Sequence, residues 1–153
     1  MSERIERIDL HQCMIRVYYE DTDAGGIVYY TNYLKFAERA RTELLRSLGI
    51  ESSGLMEDHD VALAVKRCLV DYKRPAVLDD ALVVETNVIR VGGASLDLRQ
   101  IVMREGEQLV SVDIKLGCLD LASGKPKAMP EHVRARLNDY FDQARNMTGE
   151  AEG

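Results

Sequence analysis

The chain has little of what would staple or metallate a small fold. Its 153 residues contain three cysteines, Cys13, Cys68 and Cys118, an odd number, far apart and without a C-x-x-C pair. That spacing disfavours both a disulfide framework and a zinc site, so reduced core thiols are the default expectation. Histidine is equally sparse, with His11, His59 and His132 scattered along the chain. Nowhere does an apolar run approach the roughly 20 residues of a membrane span, and the charged opening MSERIERIDL has no signal-type apolar segment. A cytosolic protein without a transmembrane segment is expected. Basic residues are also outnumbered, 20 Lys and Arg against 26 Asp and Glu for a net charge of −6. General nucleic-acid binding, which needs a basic footprint, is therefore disfavoured, and any anionic small ligand requires a local patch of cations.

What is present is enough apolar residue, 46%, for one domain with its own core, assigned here to residues 1–145 and followed by a disordered tail over 146–153. CMIRVYYED alternates with period two and suits a strand. From Asn32 the period lengthens, and Tyr33, Ala37, Ala40, Leu44 and Leu48 recur every three or four residues, the pattern of an amphipathic helix. Thr31 or Asn32 is placed to cap its start and Gly49 to stop it. After a polar connection, VALAVKRCLVDYKR, ALVVETNVIRV, SLDLRQIVM and LVSVDIKLGCL read as four strands in meander, and Pro130 opens a short closing helix. One strand, one long helix and four strands make an α+β antiparallel sheet wrapped around the helix, the hotdog arrangement. An exposed sheet edge in such a fold favours at least a homodimer.

Between the first strand and the long helix lies EDTDAGGIVYYTNY, residues 20–33, rich in carboxylates, glycines and tyrosines. Asp21 and Asp23 before Gly25 and Gly26 suit a turn, since Asp side chains accept nearby backbone N–H groups. A calcium loop fails at its fifth and twelfth positions, Gly25 and Asn32, and a phosphate cradle conflicts with two negative charges. A third reading is catalytic. Unpaired N–H groups at a helix N-terminus polarise a carbonyl oxygen, while a carboxylate on the preceding loop attacks that carbonyl or activates water beside it.

The run VYYEDTDAGGIVYYTNYLKFAERAR resembles the signature of hotdog-fold acyl-CoA thioesterases of the 4-hydroxybenzoyl-CoA thioesterase class, nearest to the branch associated with the bacterial Tol-Pal envelope system. Weaker similarity extends from about residue 12 to about residue 135 and includes DYKRPAVLDD, the glycine turn before Ser95, and KPKAMP. The resemblance implies thioester hydrolysis with Asp23 as the catalytic carboxylate and the backbone amide near Tyr30 polarising the carbonyl. Many members of the Tol-Pal branch carry histidine where this chain has Tyr30, and the 4-hydroxybenzoyl type has tyrosine. Scattered histidines weaken the rival hotdog activity, acyl dehydration, which resembles a His-plus-carboxylate site.

Smaller expectations attach to other residues. Gly26, Tyr29 and Ser95 are candidate substrate contacts, and the cluster Lys66, Arg67, Lys73 and Arg74 is placed to meet the polyanionic coenzyme A, in part from a neighbouring subunit. Tyr18 and Tyr19 are candidates for an acyl pocket or the core. Glu38, one helical turn after Leu34, is a candidate to face the thioester, as a helix carboxylate does in a sister hotdog subfamily, but an ion pair with Arg41 on the same helix is the favoured expectation. No metal or redox cofactor is expected, the coenzyme A moiety arriving as part of the substrate. An acyl carrier protein is an alternative carrier, and a homotetramer an alternative assembly. The contrasting functional reading is a non-catalytic scaffold that binds lipid-synthesis or envelope partners.

Overall fold

The computed structural model describes residues 10–152, with side chains described through residue 143. Five strands, β1 (His11–Arg16), β2 (Val61–Tyr72), β3 (Ala81–Val91), β4 (Ser95–Arg104) and β5 (Glu107–Asp120), form one antiparallel sheet in the order β1-β3-β4-β5-β2. Helix α1 (Asn32–Ser47) packs on β1, β3, β4 and β5, α2 (Ser52–His59) packs on β2, and α3 (Glu131–Glu152) packs on β3.

The chain is thus α+β and hotdog-like, with four corrections to the expected layout. The four later strands are not a simple meander: β3, β4 and β5 are, but β2 pairs with β5 at the far edge. Segment 73–80 therefore crosses about 14 Å of sheet, three strand spacings, instead of making a tight turn. Pro75 has no N–H for a ladder, and its neighbours bond elsewhere: Val28 N–H donates to Ala76 O at 2.9 Å and Leu78 N–H to Gly26 O at 3.0 Å. β1 ends at Arg16, earlier than its alternation suggests, because the Asp21 carboxylate accepts the Tyr18 N–H at 2.9 Å and folds Tyr19–Asp21 into a single 3₁₀ turn. Helix α2 has no clear sequence periodicity and falls where only a polar connection is expected. The closing helix is also longer than the short one expected, at 22 residues, and its backbone assignment includes 146–152.

Helix α1 buries the stripe its spacing marks out, with Tyr33, Phe36, Ala37, Ala40 and Leu44 all at or below 2% exposure. It meets Leu82, Val84, Leu98, Val102 and Val112 of the sheet in one core. The stripe also carries Arg41, which is buried and donates to Gln100 Oε1 at 3.1 Å. Gln100 in turn donates to Ala37 O at 2.8 Å and to Thr86 Oγ1 at 3.0 Å. Arg41 therefore does not form the expected ion pair with Glu38, which is exposed and acts on the guanidinium only through space. Gly49 adopts φ +79°, the left-handed conformation that ends α1 at little cost in glycine. Of the cysteines, Cys118 is buried and Cys13 half-buried as expected for core thiols, but Cys68 is exposed on the edge strand β2. Among the described residues no helix is long and apolar enough to cross a membrane.

Candidate active site

One end of the sheet gathers the residues of interest. The C-termini of β1 and β4, the loop 17–31, the N-terminus of α1 and the crossing segment 73–80 all lie there, because Arg16 pairs with Ala81 and Val83 with Met103.

Within that loop, Thr22 and Val28 form an isolated antiparallel bridge, and Asp23 N–H donates to Ile27 O at 2.9 Å. The tip closes through Gly26 N–H to Asp23 O at 3.1 Å, with Gly26 at φ +80°. Asp23 is exposed and its Oδ1 accepts the Gly25 N–H at 2.9 Å. One carboxylate oxygen thus serves as a turn former, while Asp23 makes no ion pair and its Oδ2 no hydrogen bond among the described residues. Asp21 behaves differently. It is 5% exposed, accepting Tyr18 N–H through Oδ2 and the Asn32 side-chain amide through Oδ1, both at 2.9 Å. The structural role of the first aspartate follows from that burial.

The start of α1 is not capped by a side chain. Thr31 is itself helical in backbone and makes no cap bond, and Asn32 spends its amide on Asp21. Tyr29 N–H donates to Asp21 O and Asn32 N–H to Tyr29 O, but the N–H groups of Tyr30 and Thr31 have no partner among the described residues. These are the orphan donors of a helix N-terminus, pointing partial positive charge outward.

The Tyr30 carbonyl accepts the Tyr72 hydroxyl at 3.0 Å, and the Tyr30 ring lies 5.0 Å from Tyr29 and 6.3 Å from Tyr72. With Tyr33, whose hydroxyl accepts Ala76 N–H at 2.9 Å, the Tyr30 and Tyr72 rings wall a cleft of about 290 Å³ that also takes in Val28, Lys73 and Arg74. Burial raises the Tyr72 and Tyr33 phenols above their ordinary values, so both hydroxyls keep their protons. A larger cleft of about 540 Å³ runs between β1 and the outer face of α1, past Arg16, Tyr18, Glu20, Glu38, Arg39 and Glu43. Asp23 lines neither cleft in the single chain.

The structure thus brings Asp23, Gly26, Tyr29, Tyr30, Lys73 and Arg74 to the same end of the molecule. Arg74 is partly committed, its Nε lying 2.7 Å from Glu107, whereas the Lys73 ammonium has, among the described residues, only a 3.4 Å contact to Gln108. Arg67 sits midway along β2 opposite Lys115. Ser95 begins β4 opposite Gly117, seven residues along β5 from the Tyr72 partner Val110, or about 23 Å away at strand rise. Tyr18 and Tyr19 are neither core nor strand, at 62% and 80% exposure. Sequence reading missed the part played by segment 76–80, which hydrogen-bonds the glycine loop from below. The acidic Asp79-Asp80 pair marks it only as a turn.

The thioesterase-like superfamily model matches residues 17–137. The chain is 48% identical over 124 residues to the acyl-CoA thioesterase YbgC of Haemophilus influenzae, covering 81% of this chain and 91% of that protein. It is 43% identical to the acyl-CoA thioester hydrolase YbgC of Shigella flexneri, covering 80% and 92%. Among solved structures, a probable thioesterase from Bartonella henselae superposes with a TM-score of 0.76 at 31% identity, covering 79% of this chain and 99% of that one.

Proposed function

The chain belongs to the thioesterase-like superfamily, and from that premise we propose that it hydrolyses acyl-CoA thioesters to a carboxylic acid and free coenzyme A. The observation that carries this reading is the juxtaposition, on one short loop, of an exposed carboxylate and a helix start with two N–H groups, the carboxylate without an ion-pair partner and the N–H groups unbonded among the described residues. In this reading the thioester oxygen points at the Tyr30 amide. As the carbonyl carbon becomes tetrahedral, its oxygen gains negative charge that the amide and the helix end stabilise, one such donor contributing about 3 kcal/mol.

Asp23 takes one of two roles. As a base it removes a proton from water, whose oxygen bonds to the carbonyl carbon. As a nucleophile its own oxygen bonds there, giving a mixed anhydride that water then opens. In both routes the C–S bond breaks, the thiolate of coenzyme A leaves and is protonated, and a carboxylate remains. Tyrosine in place of histidine at position 30 leaves the amide unchanged, so the backbone carries the polarisation.

Lys73 and Arg74, beside the tyrosine-walled cleft, are the cations assigned to the coenzyme A phosphates. Gly26 and Tyr29 flank the acyl end. Arg67 and Ser95 lie away from this end of the protomer, so their substrate contacts are assigned to a second copy paired along the free edge of β2. A homodimer or a pair of dimers in the cytoplasm completes the reading, with acyl carrier protein as the alternative carrier and no metal required.

Release of free thiol from short, long and aromatic acyl-CoAs tests the assignment. Turnover on at least one class is expected. No thiol release from any of them, with an envelope or lipid-synthesis partner still bound, would favour the scaffold reading.

A further inference from the structure

Segment 75–80 is bonded more densely than a passive crossover requires. Its residues meet the glycine loop through the Ile27–Val77 bridge, Val28 N–H to Ala76 O at 2.9 Å and Leu78 N–H to Gly26 O at 3.0 Å. They meet the end of β1 through Val17 N–H to Asp80 O at 2.9 Å, Asp79 N–H to Val17 O at 3.0 Å and the Arg16 guanidinium to Asp79 O at 2.8 Å. Asp79 holds φ +74°, a conformation that a non-glycine residue keeps only where its surroundings enforce it.

Besides these bonds, one carboxylate ties the segment to the end of β4. Asp80 Oδ2 accepts the Val77 N–H at 2.9 Å and the Arg104 Nη1 at 2.7 Å. Arg104 is the last residue of β4, paired with Glu107 at the β4–β5 hairpin. It is only 28% exposed, and it also lies 3.5 Å from Pro75 O and 3.6 Å from Glu107. A charge-assisted bond from a strand residue to a turn carboxylate fixes direction as well as distance.

Resting on the reading of Asp23 as the reacting carboxylate, we propose that Arg104, through Asp80, is a positioning residue for that carboxylate. The physical path is continuous: Arg104 holds Asp80, Asp80 shapes the turn at Val77, Val77 bridges Ile27, and Ile27 O accepts the Asp23 N–H at 2.9 Å. Arg104 makes no bond to the glycine loop itself. Its shortest contact acts through Asp80 on where Asp23 stands, while its longer 3.6 Å contact reaches Glu107, the partner of Arg74. A displacement of about 1 Å at a reacting group costs on the order of a hundredfold in rate.

The test compares Arg104→Met, Arg104→Lys and Asp23→Asn with the wild-type protein in thiol release, alongside hydrogen exchange of the peptide spanning residues 20–31. Arg104→Met is expected to lower kcat at least tenfold with KM within about twofold, and to speed exchange in that peptide. Arg104→Lys, which keeps a charge facing Asp80, is expected to recover most of the lost kcat. Unchanged kcat in Arg104→Met overturns the proposal, as does a rise in KM alone, which would make Arg104 a phosphate-binding cation. If Arg104→Met does not fold, Arg104→Lys decides: a partial kcat loss with faster exchange supports positioning, and wild-type exchange rules it out. Full turnover by Asp23→Asn would sink the catalytic reading instead, whatever the Arg104 variants do.

Discussion

At the scale of single residues, the molecule keeps its two aspartates apart by burial. Asp21 is enclosed and spends both oxygens on the fold, while Asp23 is exposed and spends one. A buried charge is tolerated only where it is fully bonded, so the residue with unspent capacity is the one available to a ligand. His11 illustrates the opposite case. Its Nδ1 is buried without a partner among the described residues, and burial pushes the imidazole below its usual value of 6.5, with the Glu43 charge pulling it partly back. Because the folded-state value is the lower one, the unfolded chain takes up the proton first. The stability this contributes is present above pH 6.5 and is lost as pH falls through the depressed folded value. Urea unfolding between pH 7.5 and about 5 is expected to show a midpoint that declines with acidity. A shallower decline is expected in His11→Gln. Identical slopes in the two proteins would show that His11 takes no part.

At the scale of elements, α1 and the sheet were legible in the sequence because each follows a strong period. Tyr33, Ala37, Ala40 and Leu44 are buried where their spacing puts them, and β3 runs over the residues its composition marks. What the sequence did not reveal depends on single polar side chains acting over distance. The Asp21 carboxylate cuts β1 short, and the bonds of segment 76–80 to the glycine loop send β2 to the far edge. Neither signal is periodic. Nor could spacing separate Ser95 from the loop, since that distance comes from sheet register. Asp21→Ala removes the acceptor for both the Tyr18 N–H and the buried Asn32 amide. It is expected to cost about 2 kcal/mol in urea unfolding and to lower kcat by loosening the helix start. A variant with wild-type midpoint and wild-type kcat would contradict that joint role.

At the scale of the whole molecule, the single chain leaves exposed apolar side chains on its β2 sheet edge, interleaved with Lys66, Arg67 and Asp71. Val65, Leu69 and Tyr72 of β2 are 52%, 67% and 46% exposed, and β2 has a neighbour on one side only. A strand edge of this kind is a template for pairing, and a second copy is the partner whose concentration always matches. Sedimentation is expected to give at least twice the chain mass of 17.2 kDa, and Val65→Lys to shift the population toward single chains with loss of turnover. A fully active single chain would remove the need for residues from a second copy.

The proposed hydrolysis rests on one oxygen atom pair on the glycine loop, so the decisive measurement is the steady-state kcat of Asp23→Asn on the best acyl-CoA substrate. The amide is isosteric and keeps an oxygen for the Gly25 N–H, so the loop and the oligomer are expected to persist. The variant neither attacks a carbonyl nor accepts a proton from water, and kcat is expected to fall by about a hundredfold to ten-thousandfold. A properly folded Asp23→Asn protein that releases thiol at the wild-type rate would contradict the account.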